Sequence, residues 1–141
     1  MNDQERITNS AIRALGVLNA RHKSFLAYVS SEANLSLLGG TVIVEDDKLK
    51  VTTLNLLSVA SSRAIVIGGD LPNAMEYTFT TPFEDGEIPV WRLYLEQSGT
   101  LYEDVSFAEH FGDYNGTYVR QNIVVTLANK LLKSRIFAPR V

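Results

Sequence analysis

The side chains with the widest chemical range in this sequence are its two histidines and the carboxylates beside one of them. His110 has Glu103, Asp104, Glu109 and Asp113 as sequence neighbours, the raw material of an acid/base pair or a hard-cation site. A cation of that kind needs several oxygens to converge. The spacing here fits neither an EF-hand loop nor a His-Glu-x-x-His zinc helix. Solvated loop acids and a Ser106–Glu109 capping pair account for the same residues more simply. His22 stands alone, without cysteine or an evident acid partner. It reads as an imidazole hydrogen-bonded in or at the rim of the core rather than as a general base.

Other chemical motifs are weaker still. The chain has no cysteine, which removes disulfides, thiolate metal ligation and cysteine nucleophiles together. Gly68-Gly69-Asp70 follows the apolar run Ala64–Ile67 as a phosphate loop would, but Leu71-Pro72-Asn73 comes next instead of a helix with lysine and serine. A tight turn is the expectation. Ser61-Ser62 lacks the Gly-x-Ser-x-Gly frame of a nucleophile elbow and reads as loop. The sequence therefore predicts no catalytic residue, no metal site and no cofactor.

The elements that would position these side chains follow from periodicity. Asn2 ahead of Asp3 and Glu5 is an N-cap signal, and Ile7, Ala11, Ala14, Leu15, Leu18, Phe25, Leu26, Val29 and Ala33 share one helical face. His22 sits on that stripe. The helix is expected to end near Ser30-Ser31 or at Gly39-Gly40, with a short turn through Leu35, Leu37 and Leu38 between. From Thr41 the period becomes strand-like. Runs at 42–44, 49–57, 63–67, 75–81 and 88–97 predict about five strands joined by turn-rich segments. In the last run Trp91, Leu93 and Leu95 share one face, while Val90, Arg92, Tyr94 and Glu96 share the other. Ser106–Glu109 predicts a short helix stopped by Gly112, and 117–134 a final helix with Ile123, Val124, Leu127, Ala128, Leu131 and Leu132 on its apolar arc. A strand through Val125 is the alternative, because Ile123, Val124 and Val125 are β-branched. The whole is expected to be one α+β domain spanning 1–141, an antiparallel meander of about five strands packed against N-terminal and C-terminal helices.

Composition narrows function by exclusion. With 141 residues, 45% hydrophobic and 21% charged, the chain has the apolar content of a folded globule. The polar opening Met1-Asn2-Asp3-Gln4-Glu5-Arg6 is unlike a signal peptide and no apolar run reaches membrane-spanning length, so a cytoplasmic protein is expected. Net charge is −3, yet residues 51–113 carry ten acids against Arg63 and Arg92, while residues 114–141 carry five bases and no acid. That balance argues against nucleic acid as partner. Ten of the thirteen aromatic residues fall between Tyr77 and Tyr118, within or just beyond the acidic segment. This points to a non-enzymatic protein-interaction module, of inhibitor, immunity or chaperone-adaptor type, whose acidic and aromatic surface docks on a protein with a basic surface. The expected contact residues are Trp91, Tyr94, Arg92, Glu84, Asp85 and Glu87. The alternative is a small enzyme or ligand-binding domain with a pocket between sheet and helix. The wide apolar arc of the last helix fits a homo-oligomer under either reading.

Overall fold

The computed structural model describes residues 2–30 and 40–139. A long helix α1 (Asp3–Ser30) leads into seven strands, β1 (Thr41–Glu45), β2 (Lys48–Thr53), β3 (Leu56–Ile65), β4 (Ala74–Phe83), β5 (Gly86–Glu96), β6 (Thr100–Tyr102) and β7 (His110–Asp113). Helix α2 (Val119–Leu132) and a 3₁₀ turn (Arg135–Phe137) follow. Every strand pairs antiparallel with its sequence neighbour in the order β1 to β7. The class is α+β with an antiparallel meander, but with seven strands rather than about five.

The two added strands are β6 and β7; among the first five, local chemistry shifts the boundaries. The stretch 49–57 is broken by a two-residue turn at Leu54-Asn55, both at positive φ (55° and 62°), and β3 begins at Leu56. It then runs through Ser61-Ser62, which are strand and not loop, paired to Thr78 and Tyr77. Asp46-Asp47 closes β1 on β2 in the same way, at φ 55° and 59°. Right-handed strand twist favours such mirror-image turns, and aspartate and asparagine tolerate them.

The expected short helix at 106–109 is absent. Asp104 organises that segment instead: its carboxylate accepts the Glu109 N–H at 2.7 Å and the Ser106 hydroxyl, so the serine caps nothing. Glu103 N–H bonds the Glu109 carbonyl at 2.8 Å, closing the loop so that His110–Asp113 returns as β7. An acid that bonds its own backbone competes with helix formation. The 3.6-residue pattern in the final segment does win over β-branched propensity, because helix places Ile123, Leu127 and Leu131 together in the core, each fully buried. The turn read at Leu35, Leu37 and Leu38, and with it Ala33 and Gly39, lies outside the described residues.

Both helices contribute to one apolar cluster. Leu18, Phe25 and Val29 of α1 and Ile123, Leu127 and Leu131 of α2 join Leu49, Val51, Tyr77, Phe79, Leu93, Leu95 and Leu101 from the sheet. Each such side chain withdrawn from water contributes about 1.5–3 kcal/mol. The α1 stripe is only half used: upstream of Leu18, Ile7 and Leu15 are exposed and Ala11 and Ala14 partly so. At 28 residues the helix is about 42 Å long, and its buried residues begin only at Leu18. Asn2 caps it as expected, its side-chain oxygen accepting the Glu5 N–H at 2.8 Å.

Candidate functional site

His22 lies at the rim of the core and is 5% exposed. Its Nδ1 is 2.7 Å from the Tyr77 hydroxyl and its Nε2 is 3.2 Å from Asp47 Oδ2 at the β1–β2 turn. The neutral Nε2–H tautomer satisfies all three groups: Tyr77 donates to Nδ1, and Nε2–H donates to the carboxylate. Burial, then the Asp47 charge, push the Tyr77 hydroxyl's pKa upward, so the phenol keeps its proton. With Tyr77 1% exposed and His22 5%, this trio ties helix, hairpin and sheet together. His110 is exposed and packs edge-on to Tyr102 at 5.9 Å. Among the described residues, no group of histidines and acids converges in a way that could hold a metal ion.

The sheet's architecture provides a different kind of site. Strand β5 is eleven residues long, and β4 pairs with it from Gly86 to Glu96. On the other side β6 reaches only Tyr94 and Leu95 before the chain turns away into the 103–109 loop. Among the described residues, therefore, Gly86 to Leu93 have no strand on that side, and no other backbone group bonds to them there. A bulge interrupts the register between Phe79 and Thr80, opposite Val90, and Pro89 supplies no N–H.

A cleft of about 580 Å³ opens along this edge, lined by Val90, Trp91, Arg92 and Tyr94 of β5, by Glu103 and Glu109 of the loop, and by Lys130 of α2. Trp91 belongs to the helix-facing side of β5, Arg92 and Tyr94 to the opposite side. A cavity that meets both sides lies at the strand's edge. It continues into an adjoining depression where Ile88, Pro89 and Val90 face Lys130, Lys133 and Arg135. Charge is graded along the edge, basic at the Ile88 end and acidic at the Tyr94 end.

The two aromatic lining groups are held in place, and so is the loop that carries the acids. Trp91 stacks on Phe79 with centroids 5.1 Å apart, meets Phe111 at 5.4 Å, and its indole N–H donates to Glu103 Oε1 at 3.1 Å. Tyr94 packs over the β4 acid Glu76, which accepts from Arg63 Nε at 2.8 Å. Burial and the Glu76 carboxylate raise the Tyr94 pKa, keeping it a neutral donor. Asp104, which folds the acidic wall, is held below its ordinary value of 3.8, first by the Ser106 hydroxyl and then by the Glu109 N–H.

Of the six contact residues read from the sequence, three meet in this cleft: Trp91, Arg92 and Tyr94. The rings of Trp91 and Tyr94 are each only 6% exposed, so the aromatic part of the expected surface is mostly interior. Strand alternation buries one ring against the helices, and packing over Glu76 buries the other. Glu84 and Asp85 stand apart, exposed in the β4–β5 turn. Glu87 lies in a separate depression with Lys48, Lys50, Ser61 and Thr80. Sequence reading missed the joining of Lys130, Glu103 and Glu109 to Trp91. Lys130 was visible only as tail charge and the acids only as neighbours of His110.

No helix among the described residues is long and apolar enough to cross a membrane. The chain matches no protein family, no curated protein and no solved structure.

Proposed function

We propose that this protein is an interaction module that binds another protein through the β5 cleft. One observation supports the reading above the rest: Trp91, Arg92 and Tyr94 converge with Glu103, Glu109 and Lys130 on a strand edge that has no neighbouring strand among the described residues. Arginine is among the side chains that most often anchor interfaces; the held rings of Trp91 and Tyr94, each 6% exposed, give the cleft a rigid lining, and the charges of both signs around Arg92 confer register and selectivity. The exposed turn acids Glu84 and Asp85, with Glu87 in its own depression, lie outside the cleft and offer a separate contact to basic groups elsewhere on the partner.

The test is affinity recovery of partners from the native host by tagged wild type, an Arg92→Glu/Lys130→Glu double variant, and a Lys23→Glu control on exposed α1 surface. A partner captured by wild type and control but lost by the double variant supports the cleft. A third variant, Glu84→Lys/Asp85→Lys/Glu87→Lys, measures the contribution of the turn. If the double variant retains every partner, the cleft is not the docking surface.

A further inference from the structure

We infer that the cleft takes its ligand as an added β-strand: an extended peptide segment running antiparallel to β5, basic toward its start and acidic toward its end. The inference rests on the interaction reading above and specifies the partner's chemistry. Pro89 apart, which has no N–H, the backbone N–H and C=O groups of 86–93 that point away from β4 have no strand partner among the described residues, and an extended peptide can supply one in register. The position is already defined by β6, which occupies the same side of β5 at Tyr94 and Leu95 and runs antiparallel to it. An incoming segment continues that line where the chain departs at Glu103.

The walls decide which occupant fits. Lys130 from α2 and Glu103 and Glu109 from the loop flank the edge. A flat sheet edge from a second copy would have to pass between those walls, whereas a single extended strand lies within them. Pro89 and the bulge at Val90 likewise discourage broad edge-to-edge pairing. Polarity follows from charge: a peptide antiparallel to β5 begins beside Glu103 and Glu109 and ends beside Lys130, Lys133 and Arg135. Lysine or arginine near its start and aspartate or glutamate near its end complement the two walls.

The probe is a phage-displayed library of random linear peptides panned on the full chain, with binding of synthetic winners followed by the emission of Trp91, the chain's one tryptophan. Winners are expected to lack central proline and to carry basic then acidic ends. N-methylation along a winner is expected to weaken binding about tenfold or more at every second amide and little at those between. Reversing the order of the charges weakens binding, and Lys130→Glu restores a winner whose end has been made basic. Winners that tolerate N-methylation everywhere yet respond to Arg92→Glu and Lys130→Glu overturn strand addition while leaving the cleft as a docking surface. Winners indifferent to both variants overturn the cleft itself. A library that enriches nothing overturns the peptide inference without bearing on the partners recovered from the host.

Discussion

Replacing Tyr77 with phenylalanine isolates a single hydrogen bond in the core. The phenol donates to His22 Nδ1 at 2.7 Å, and Tyr77 and His22 are 1% and 5% exposed. Tyr77→Phe keeps the ring that meets Phe25 at 5.3 Å and removes only the hydroxyl, so a buried imidazole nitrogen loses its donor. A buried acceptor left without a partner costs about 1–3 kcal/mol. The other arm of the trio is worth less. Asp47 is 69% exposed and can exchange the imidazole for water, so Asp47→Gly, which keeps the φ of 59° accessible while removing the carboxylate, is expected to cost about 0–1 kcal/mol. His22→Leu strands the hydroxyl and costs about as much as Tyr77→Phe, while the double variant replaces both polar ends by apolar groups and recovers part of the loss. Urea titration followed by Trp91 emission gives the free energies. Calorimetry gives a fall in Tm of roughly 3–5 °C for each kcal/mol in a chain of this size. Equal losses for Tyr77→Phe and Asp47→Gly, or strict additivity of His22→Leu with Tyr77→Phe, would refute the coupling described.

Further outcomes test the backbone and the loop. Gly16 lies in α1 with nothing within 4 Å of an added Cβ, so Gly16→Ala is expected to stabilise by about 0.5–1 kcal/mol in urea titration. At Gly99, with φ +101° and an added Cβ 2.8 Å from Tyr114 Cδ1, the same change is expected to destabilise by about 1–3 kcal/mol. Leu54 is exposed at φ 55°, and Leu54→Asn should gain about 0.5–1 kcal/mol by relieving left-handed strain, read as a raised urea midpoint. The lowered Asp104 pKa means that folding favours its charged form. Its support of the loop is present above about pH 3.8 and is lost as pH falls below that through the folded value. Hydrogen exchange at the Glu109 amide should accelerate over that interval, and Asp104→Asn should abolish the transition.

The larger elements of the fold were legible because long periodic runs overrule local noise. The α1 stripe through Leu18, Phe25 and Val29 and the α2 arc through Ile123, Leu127 and Leu131 are buried as their spacing predicts. His22 was legible too, as a hydrogen-bonded imidazole on that stripe, although its partners were not. Failures occurred where pairing rather than local preference decides. Leucine is a poor turn residue, so Leu54-Asn55 did not announce a turn, yet the pairing of Thr53 with Leu56 imposes one. Thr100-Leu101-Tyr102 is too short to show alternation, and His110–Asp113 contains Gly112 at φ +156°. Each is a strand only because the other lies beside it. The stripe in the opposite direction overreached: Ile7 and Leu15 continue the apolar period but are exposed.

The cleft was the least legible feature because it arises from a mismatch of lengths. Sequence marked β5 as a long alternating run with an amphipathic side, and that singled out Trp91, Arg92 and Tyr94. Nothing in a one-dimensional pattern says that the next strand will stop after pairing two of the eleven residues. The stop is set by Asp104, which folds 103–109 back on itself and carries Glu103 and Glu109 to the edge as a wall. Helix α2 brings Lys130 to the same place through Leu127 and Leu131, whose burial fixes its rotation on the sheet. The charge segregation visible along the chain thus becomes juxtaposition in space: bases from the tail and acids from the loop stand at opposite ends of one open edge. Pro89 and the bulge are what allow such an edge to exist without pairing indiscriminately, since they break the regular ladder that another sheet would need. Pro89→Val with Val90 deleted should therefore lengthen the regular ladder and promote self-association, detectable by analytical ultracentrifugation. If that variant stays as monodisperse as wild type, selectivity at the edge comes from the charged walls and not from the strand.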